Sequence, residues 1–160
     1  MSSPSPLRRF IASHPGVVPA VTRVHRWLYQ ALGGRLVAQA GATKILLLTT
    51  TGRKSGEPRV TPLLYVDDGP RLVVVASNGG TERVPAWWHN LQADPNAHVQ
   101  CGREHRDVVA REATPPEVEA LWPKLTAAYE FFDEYQSRTK RTIPVVLLEP
   151  AKPEMPPAAR

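Results

Sequence analysis

Residues 45–66 read ILLLTTTGRKSGEPRVTPLLYV, and this stretch decides the fold. An apolar run rich in Val, Leu, Ile and Thr stands at each end of it, which is typical of β-strands. Between the runs, two glycines bracket Arg53, Lys54 and Ser55, and Arg59 follows closely. The pattern predicts a β-hairpin whose tip carries three cations and a row of flexible backbone N–H groups. Such a tip suits a ligand with phosphate or carboxylate groups, although a solvated basic turn also fits these residues.

The rest of the chain continues this strand-rich pattern. The predicted strands are residues 45–50, 60–66, 71–77, 97–101, 105–111 and 143–148. Helical signals are fewer: an amphipathic stretch early in the chain, a short one after Pro85, and a helix before the last strand. That last helix starts at a capping box, Thr114 to Glu117. Because the strands do not alternate with long helices, a parallel doubly wound sheet is disfavoured. The prediction is a mainly β (α+β) fold built on an antiparallel barrel.

The length of 160 residues fits one domain. Its predicted parts are a disordered segment (1–16), an amphipathic helix (17–37), the barrel (41–150) and a disordered proline-rich tail (151–160). The early helix interleaves arginines with Trp27. It could lie on an anionic membrane surface or pack on the barrel with snorkelling arginines.

Composition narrows the partners and the compartment. The formal net charge is +5 and the sequence pI is about 9.7, which allows an anionic small molecule, a nucleic acid or an anionic membrane. Cys101 is the one cysteine, no signal peptide is evident, and no apolar run approaches the roughly 20 residues needed to span a bilayer. We therefore expect a cytoplasmic protein, with peripheral contact at the inner face of the plasma membrane left open. The five histidines show no metal-binding spacing, so no metal is expected.

Two further segments are candidates for a binding site. In residues 75–80 a strand ends in small residues and two glycines, which lets a ligand approach the backbone closely. Trp87 and Trp88 follow, with a polar handle at Asn90. Aromatic residues also crowd residues 129–135. Taken singly, each segment could equally be ordinary core packing.

Together and in this order, the segments resemble the deazaflavin-dependent nitroreductase family. The resemblance spans about residues 45–150 and rests on residues 48–56, 58–60, 76–80, 85–91, 135–139 and 143–146. It implies a split β-barrel related to FMN-binding oxidase barrels. It also implies coenzyme F-420, an 8-hydroxy-5-deazaflavin that carries hydride, a phosphodiester and a tail of γ-linked glutamates.

The resemblance also assigns residues. The coenzyme's phosphate and tail would be held by Arg53, Lys54, Ser55, Arg59, Val60, Thr61, Pro62, Leu63 and Leu64. The deazaflavin and its side chain would be lined by Val75, Ala76, Ser77, Asn78, Ala86, Trp87, Trp88, His89 and Asn90, with Phe132 beside the coenzyme or substrate. Hydride would pass to an electron-poor acceptor such as a quinone, a nitroaromatic or an activated enone. Ser77, Tyr129 and Tyr135 are the candidate catalytic hydrogen-bond donors to that acceptor.

Two positions depart from the family pattern. Asn78 stands where the family often has lysine, which removes one contact to phosphate or tail. Phe132 stands where the nitroimidazole-activating member has tyrosine. The phenylalanine weighs against nitroimidazole reduction and leaves quinones or other activated double bonds open.

Two alternative functions and one question of assembly remain open. One is an FMN-binding split barrel, and another is a non-enzymatic basic barrel that binds nucleic acid. The second is disfavoured because the strands are mostly aliphatic and two of the tryptophans cluster in one helical segment, so no nucleic-acid partner is expected. As for assembly, related barrels often pair through their sheets, which leaves a homodimer open.

Overall fold

The computed structural model describes residues 44–151. Its elements are β1 (Lys44–Thr51), β2 (Pro58–Asp68), β3 (Arg71–Val75), α1 (Ala86–Ala93), β4 (Asn96–Cys101), β5 (Glu104–Glu112), α2 (Pro115–Ala128), α3 (Phe131–Arg138) and β6 (Val145–Pro150). The predicted disordered segment (1–16), the predicted amphipathic helix (17–37) and the tail from residue 152 lie outside the described residues. None of these three helices is long and apolar enough to cross a membrane.

The strands form a closed antiparallel barrel in the order β1-β2-β3-β6-β5-β4. This arrangement confirms the predicted antiparallel barrel. The β1–β2 hairpin is its longest regular part, with eight residue pairs from Lys44↔Tyr65 to Thr51↔Pro58. The strand ends differ slightly from prediction: β3 stops at Val75, and the backbone N–H of Ala76 then donates to Pro144 O at 2.9 Å.

Alternation of side chains along the strands separates two apolar clusters. The cluster inside the barrel contains residues such as Leu46, Leu48 and Val99, none of them exposed. Trp87 and Trp88 of α1 belong to the same cluster, so this helix packs on the barrel core. The two buried tryptophans therefore hold α1 against the barrel.

The second cluster joins the barrel to α2 and α3. Leu121 and Leu125 of α2 and Phe132 of α3 pack with Val73 and Leu147 of the barrel. Glu117 completes the capping box at the start of α2, where its carboxylate accepts from the backbone N–H of Thr114 at 2.9 Å. This packing brings α3 to the open side of the barrel described below.

The helical segment before the last strand is two helices rather than one. Tyr129 ends α2 with an extended backbone (φ −152°, ψ 98°), and α3 begins at Phe131. No proline or glycine marks the break in the sequence. After the break, Phe132 is buried against the core and its neighbour Phe131 is 41% exposed. The sequence therefore does not mark this break, which is seen only in the tertiary structure.

Candidate active site

The barrel is incompletely paired between β2 and β3. These strands share three residue pairs, Val66↔Val73 to Asp68↔Arg71. The rest of β2, residues 58–65, pairs with β1 along one edge and with no other described strand along the opposite edge. A cleft of about 830 Å³ lies beside this unpaired half. Its volume is in the range of small-molecule and cofactor sites.

Four parts of the chain meet in this cleft: the tip of the β1–β2 hairpin, β2, the segment from the end of β3 into α1, and the aromatic residues around α3. The lining residues are Arg53, Thr61, Pro62, Leu63, Leu64, Val75, Ser77, Asn78, Gly79, Arg83, Val84, Pro85, Ala86, Trp87, His89, Tyr129, Phe132 and Tyr135. The sequence-based site omitted Gly79, Arg83, Val84 and Pro85. Gly79 and Pro85 lie within the segments on which the resemblance rests, although neither was assigned to the site. Arg83 and Val84 lie between those segments, so only chain proximity to Asn78 and Ala86 could have suggested them.

Seven predicted site residues are not in this lining: Lys54, Ser55, Arg59, Val60, Ala76, Trp88 and Asn90. Ala76 and Trp88 belong to the buried barrel cluster. Ser55 and Arg59 contact each other, because Arg59 Nη2 donates to Ser55 Oγ at 3.3 Å. Lys54 and Val60 also lie outside the lining, and the assignment of all seven residues to the coenzyme stays a prediction.

The hairpin tip is a closed turn that presents Arg53. Gly52 N–H donates to Glu57 O at 2.8 Å, and Gly56 N–H donates to Gly52 O at 2.7 Å. A Cβ at Gly52 would stand 2.6 Å from Ser55 Oγ and 3.1 Å from Glu57 O, so the turn is closely packed around this glycine. Residues 53–57 are exposed, and the Arg53 side chain lines the cleft.

Asn90 connects this tip to α1. Its Oδ1 accepts from Arg53 N–H at 3.1 Å, and its Nδ2 donates to Thr50 Oγ1 at 3.1 Å. The side chain is buried and uses both its donor and its acceptor side inside the protein. Asn90 therefore positions Arg53 instead of lining the cleft.

The segment after β3 is a tight loop with left-handed backbone. Asn78, Gly79 and Gly80 have φ of 46°, 66° and 76°. A Cβ at Gly80 would lie 2.8 Å from both Cα and O of Tyr135, so this glycine permits close contact between the loop and α3. The loop brings Ser77, which is 9% exposed, to the cleft.

Arg141 holds the same loop from behind. Its Nη2 donates to the carbonyl oxygens of Ala76 (3.1 Å) and Ser77 (2.8 Å), and its Nε donates to Thr81 O at 2.9 Å. Its buried Nη1 has no hydrogen-bond partner in the described part of the chain. The guanidinium thus fixes the backbone that carries Ser77.

Aromatic residues around α3 form one wall of the cleft. Tyr129 packs edge-on against Phe132, with ring centroids 5.1 Å apart, and its hydroxyl lies 3.3 Å from the hydroxyl of Tyr135. Burial, and then the hydrogen bond to Tyr135, raise the pKa of Tyr129 well above its ordinary value. The Tyr129 hydroxyl thus stays protonated near neutral pH. One donates to the other, which leaves one O–H free to point at a ligand.

The polar groups of the cleft are cationic or neutral. Arg53 and Arg83 line it, and neither guanidinium is paired with a carboxylate within residues 44–151. Among those residues no group of three or more His, Cys, Asp or Glu side chains could hold a metal ion. The site therefore combines an apolar slot, free hydroxyl donors and a positive field.

Comparison with known proteins places this site in a family. A family model described as F420H(2)-dependent quinone reductase matches residues 21–150. An F420H(2)-dependent quinone reductase of Mycobacterium tuberculosis is 38% identical over 146 residues, 89% of this chain and 97% of that protein. The solved structure of an F420-H2 dependent reductase, FDR-A, is 41% identical with a TM-score of 0.62, over 66% of this chain and 94% of its own. A solved chain described as a domain-swapped dimer is 35% identical with a TM-score of 0.63, over 78% and 98% of the two chains.

The six-stranded antiparallel barrel is the split-barrel fold shared with the solved F420-H2 dependent reductase. Within that fold class, the chain belongs to the F420H(2)-dependent quinone reductase family. The predicted deazaflavin-dependent oxidoreductase in a split barrel is thereby confirmed.

Proposed function

We propose that this chain binds reduced coenzyme F-420 in the cleft beside β2 and passes its hydride to a quinone. The observation that carries the proposal is the composition of that one cleft. Apolar walls, unpaired arginines and a free hydroxyl donor line the same 830 Å³ of space. A planar anionic hydride donor needs all three features, whereas a nucleic acid would need aromatic residues spread over an exposed basic surface.

The residues present fit the coenzyme. Leu63, Val75 and Trp87 supply apolar surface for a flat ring system. Arg53, at the hairpin tip, supplies a cation for phosphate or glutamate carboxylates. Lys54 is exposed on the same turn and adds to the field at this end of the cleft. When bound, the reduced coenzyme supplies a hydride.

The chain's own residues supply orientation and a proton. A quinone oxygen gains negative charge as hydride arrives and must then be protonated. The Tyr129–Tyr135 pair has one uncommitted O–H for this purpose, and Tyr129 does not ionise near neutral pH. The hydroxyl of Ser77 makes no hydrogen bond within residues 44–151, so it can donate to the same developing charge.

A quinone is the acceptor class that these residues favour. Phe132 has no hydroxyl, so the donors beside the acceptor are Ser77 and the tyrosine pair. Reduction of a quinone to a hydroquinone by one hydride needs one further proton, because the hydride already brings two electrons and one hydrogen. The donors beside the acceptor can give that proton, and solvent can then restore it. The curated relative named as a quinone reductase supports the same choice.

Titration of the purified protein with oxidised coenzyme tests the first half of the proposal. Binding in an aromatic cleft should quench the coenzyme's fluorescence with a dissociation constant of about micromolar. Absence of quenching at tens of micromolar, or tighter binding of FMN, would sink the proposal. Pre-loaded reduced coenzyme should then be oxidised by menadione faster than by a nitroimidazole.

The tyrosine pair gives a sharper test of the second half. Tyr135→Phe should lower kcat for quinone reduction by about 10²-fold, the usual worth of a positioned proton donor, with coenzyme affinity changed less than about threefold. Phe131→Leu, which alters an exposed neighbouring ring, is the matched control. An unchanged kcat in Tyr135→Phe would remove Tyr135 as the proton donor, and an unchanged kcat in Tyr129→Phe as well would remove the tyrosine pair from the chemistry.

We also propose that the protein is a homodimer. The support is the similar solved chain that is described as a domain-swapped dimer. Light scattering on the full chain, at concentrations above and below the micromolar range, measures its mass directly. A monomer mass throughout would refute the proposal without touching the coenzyme site.

A further inference from the structure

We propose that Arg83 is a second anchoring cation for the coenzyme, gripping its anionic side chain together with Arg53. The proposal rests on the function proposed above, since it concerns the same ligand. The groups recognised are the phosphodiester and the glutamate carboxylates. Arginine suits both, because its planar fork of N–H donors matches two oxygens at once.

The first argument is the absence of a carboxylate partner for Arg83. Elsewhere in the described chain the exposed or half-buried arginines are mostly engaged: Arg71, Arg106 and Arg111 pair with carboxylates. Arg83 lines the cleft, is exposed, and forms no ion pair within residues 44–151. A cation kept beside a cleft without a protein partner is available to an anionic ligand.

The second argument is that the backbone of Arg83 is held in place. Asn78 Nδ2 donates to Arg83 O at 3.0 Å and to Thr81 Oγ1 at 3.0 Å. The next residues, half-buried Val84 and buried Pro85, lead directly into α1. The amide of Asn78 is therefore engaged with the protein, and its role is to position the residue that carries the charge.

The third argument concerns the relation of the two arginines. Arg53 is tied to α1 through Asn90, and Arg83 immediately precedes the same helix. The two arginines come from different loops and line one cleft. The backbone of each lies beside α1. Two cations whose backbones are anchored near the same helix can hold an extended anionic chain at two points, which lowers the entropy lost on binding.

The test measures affinity for three ligands of increasing charge. They are the deazaflavin with only its ribityl chain, the coenzyme with its phosphodiester but no glutamates, and the full coenzyme. Arg83→Gln is compared with wild type and with Arg103→Gln. Arg103 is also exposed and unpaired in the described chain, but it lies in the β4–β5 turn, at the barrel end away from the hairpin tip.

We expect Arg83→Gln to bind the full coenzyme about tenfold more weakly at low ionic strength, with a smaller salt dependence. Binding of the deazaflavin that lacks the phosphodiester and the glutamates should be unchanged, and Arg103→Gln should match wild type. A loss that begins with the phosphodiester ligand identifies the phosphate as the contact. A loss confined to the full coenzyme identifies the carboxylates.

Two results would overturn the inference. Unchanged affinity of Arg83→Gln for the full coenzyme, with wild type binding normally, would refute it and leave the proposed function intact. Equal weakening for all three ligands would show a distorted cleft in place of a lost charge contact. If wild type binds no deazaflavin at all, the proposed function itself fails, and the inference falls with it.

Discussion

Gly80→Ala tests the close contact between the loop after β3 and helix α3. The added methyl has two separate costs. The first is the left-handed backbone (φ +76°), which costs about 1–2 kcal/mol for alanine. The second is contact with the Tyr135 backbone at 2.8 Å, where ordinary contact begins at 3.4 Å. The loop and α3 must therefore separate by about 0.6 Å, and overpacking of this kind costs about 1–3 kcal/mol.

Gly102→Ala separates the two costs. Gly102 has a similar φ (+59°), and a Cβ there would meet nothing within 4 Å. Urea unfolding should show a loss of about 1–2 kcal/mol for Gly102→Ala and about 2–5 kcal/mol for Gly80→Ala. The shift should also disturb the 3.3 Å contact between Tyr129 and Tyr135, so kcat should fall in Gly80→Ala alone. Equal stability losses and an unchanged kcat would refute the reasoning.

Two further predictions concern groups outside the ligand contacts. Asn90→Ala removes the hydrogen bonds that tie α1 to the hairpin tip at Arg53, so urea unfolding should show a loss of about 1–3 kcal/mol; a loss below 0.5 kcal/mol would contradict this. The Arg111 guanidinium lowers the pKa of Glu117 well below its usual value, so Glu117 stabilises the fold above its unfolded pKa of about 4.3 and loses this effect as the pH falls. Thermal unfolding of Glu117→Gln should therefore lie below wild type at pH 7, with the gap closing in acid, while exposed Glu119→Gln on the same helix should track wild type.

The barrel was predictable because its signals are local. Short aliphatic runs with turn residues between them specify hairpins, and the glycines around Arg53 mark the sharpest one. The same local reasoning could not place Asn90. An asparagine three residues after Trp87 fits a ligand contact and an internal hydrogen bond equally well. Its partner, Thr50, is forty residues away in the chain.

Two other features of the cleft depend on tertiary structure in the same way. Arg83 sits in a connecting segment with no motif, and its place beside the cleft follows from the turn of backbone at Asn78. The break at Tyr129 has no helix-breaking residue, and the ring of Tyr129 packs against Phe132 beyond it. The sequence predicts a feature where local residue preferences determine it, as in the hairpins. It does not predict a feature that depends on contacts between distant residues.

The unpaired half of β2 also bears on how the protein stays in solution. A free strand edge can template pairing with another chain and lead to aggregation. Here that edge begins at Pro58 and carries Pro62, and neither residue has an N–H to offer to a foreign strand. Arg59 adds an exposed charge between them. The same opening that admits a small planar ligand is thus built to reject a β-strand.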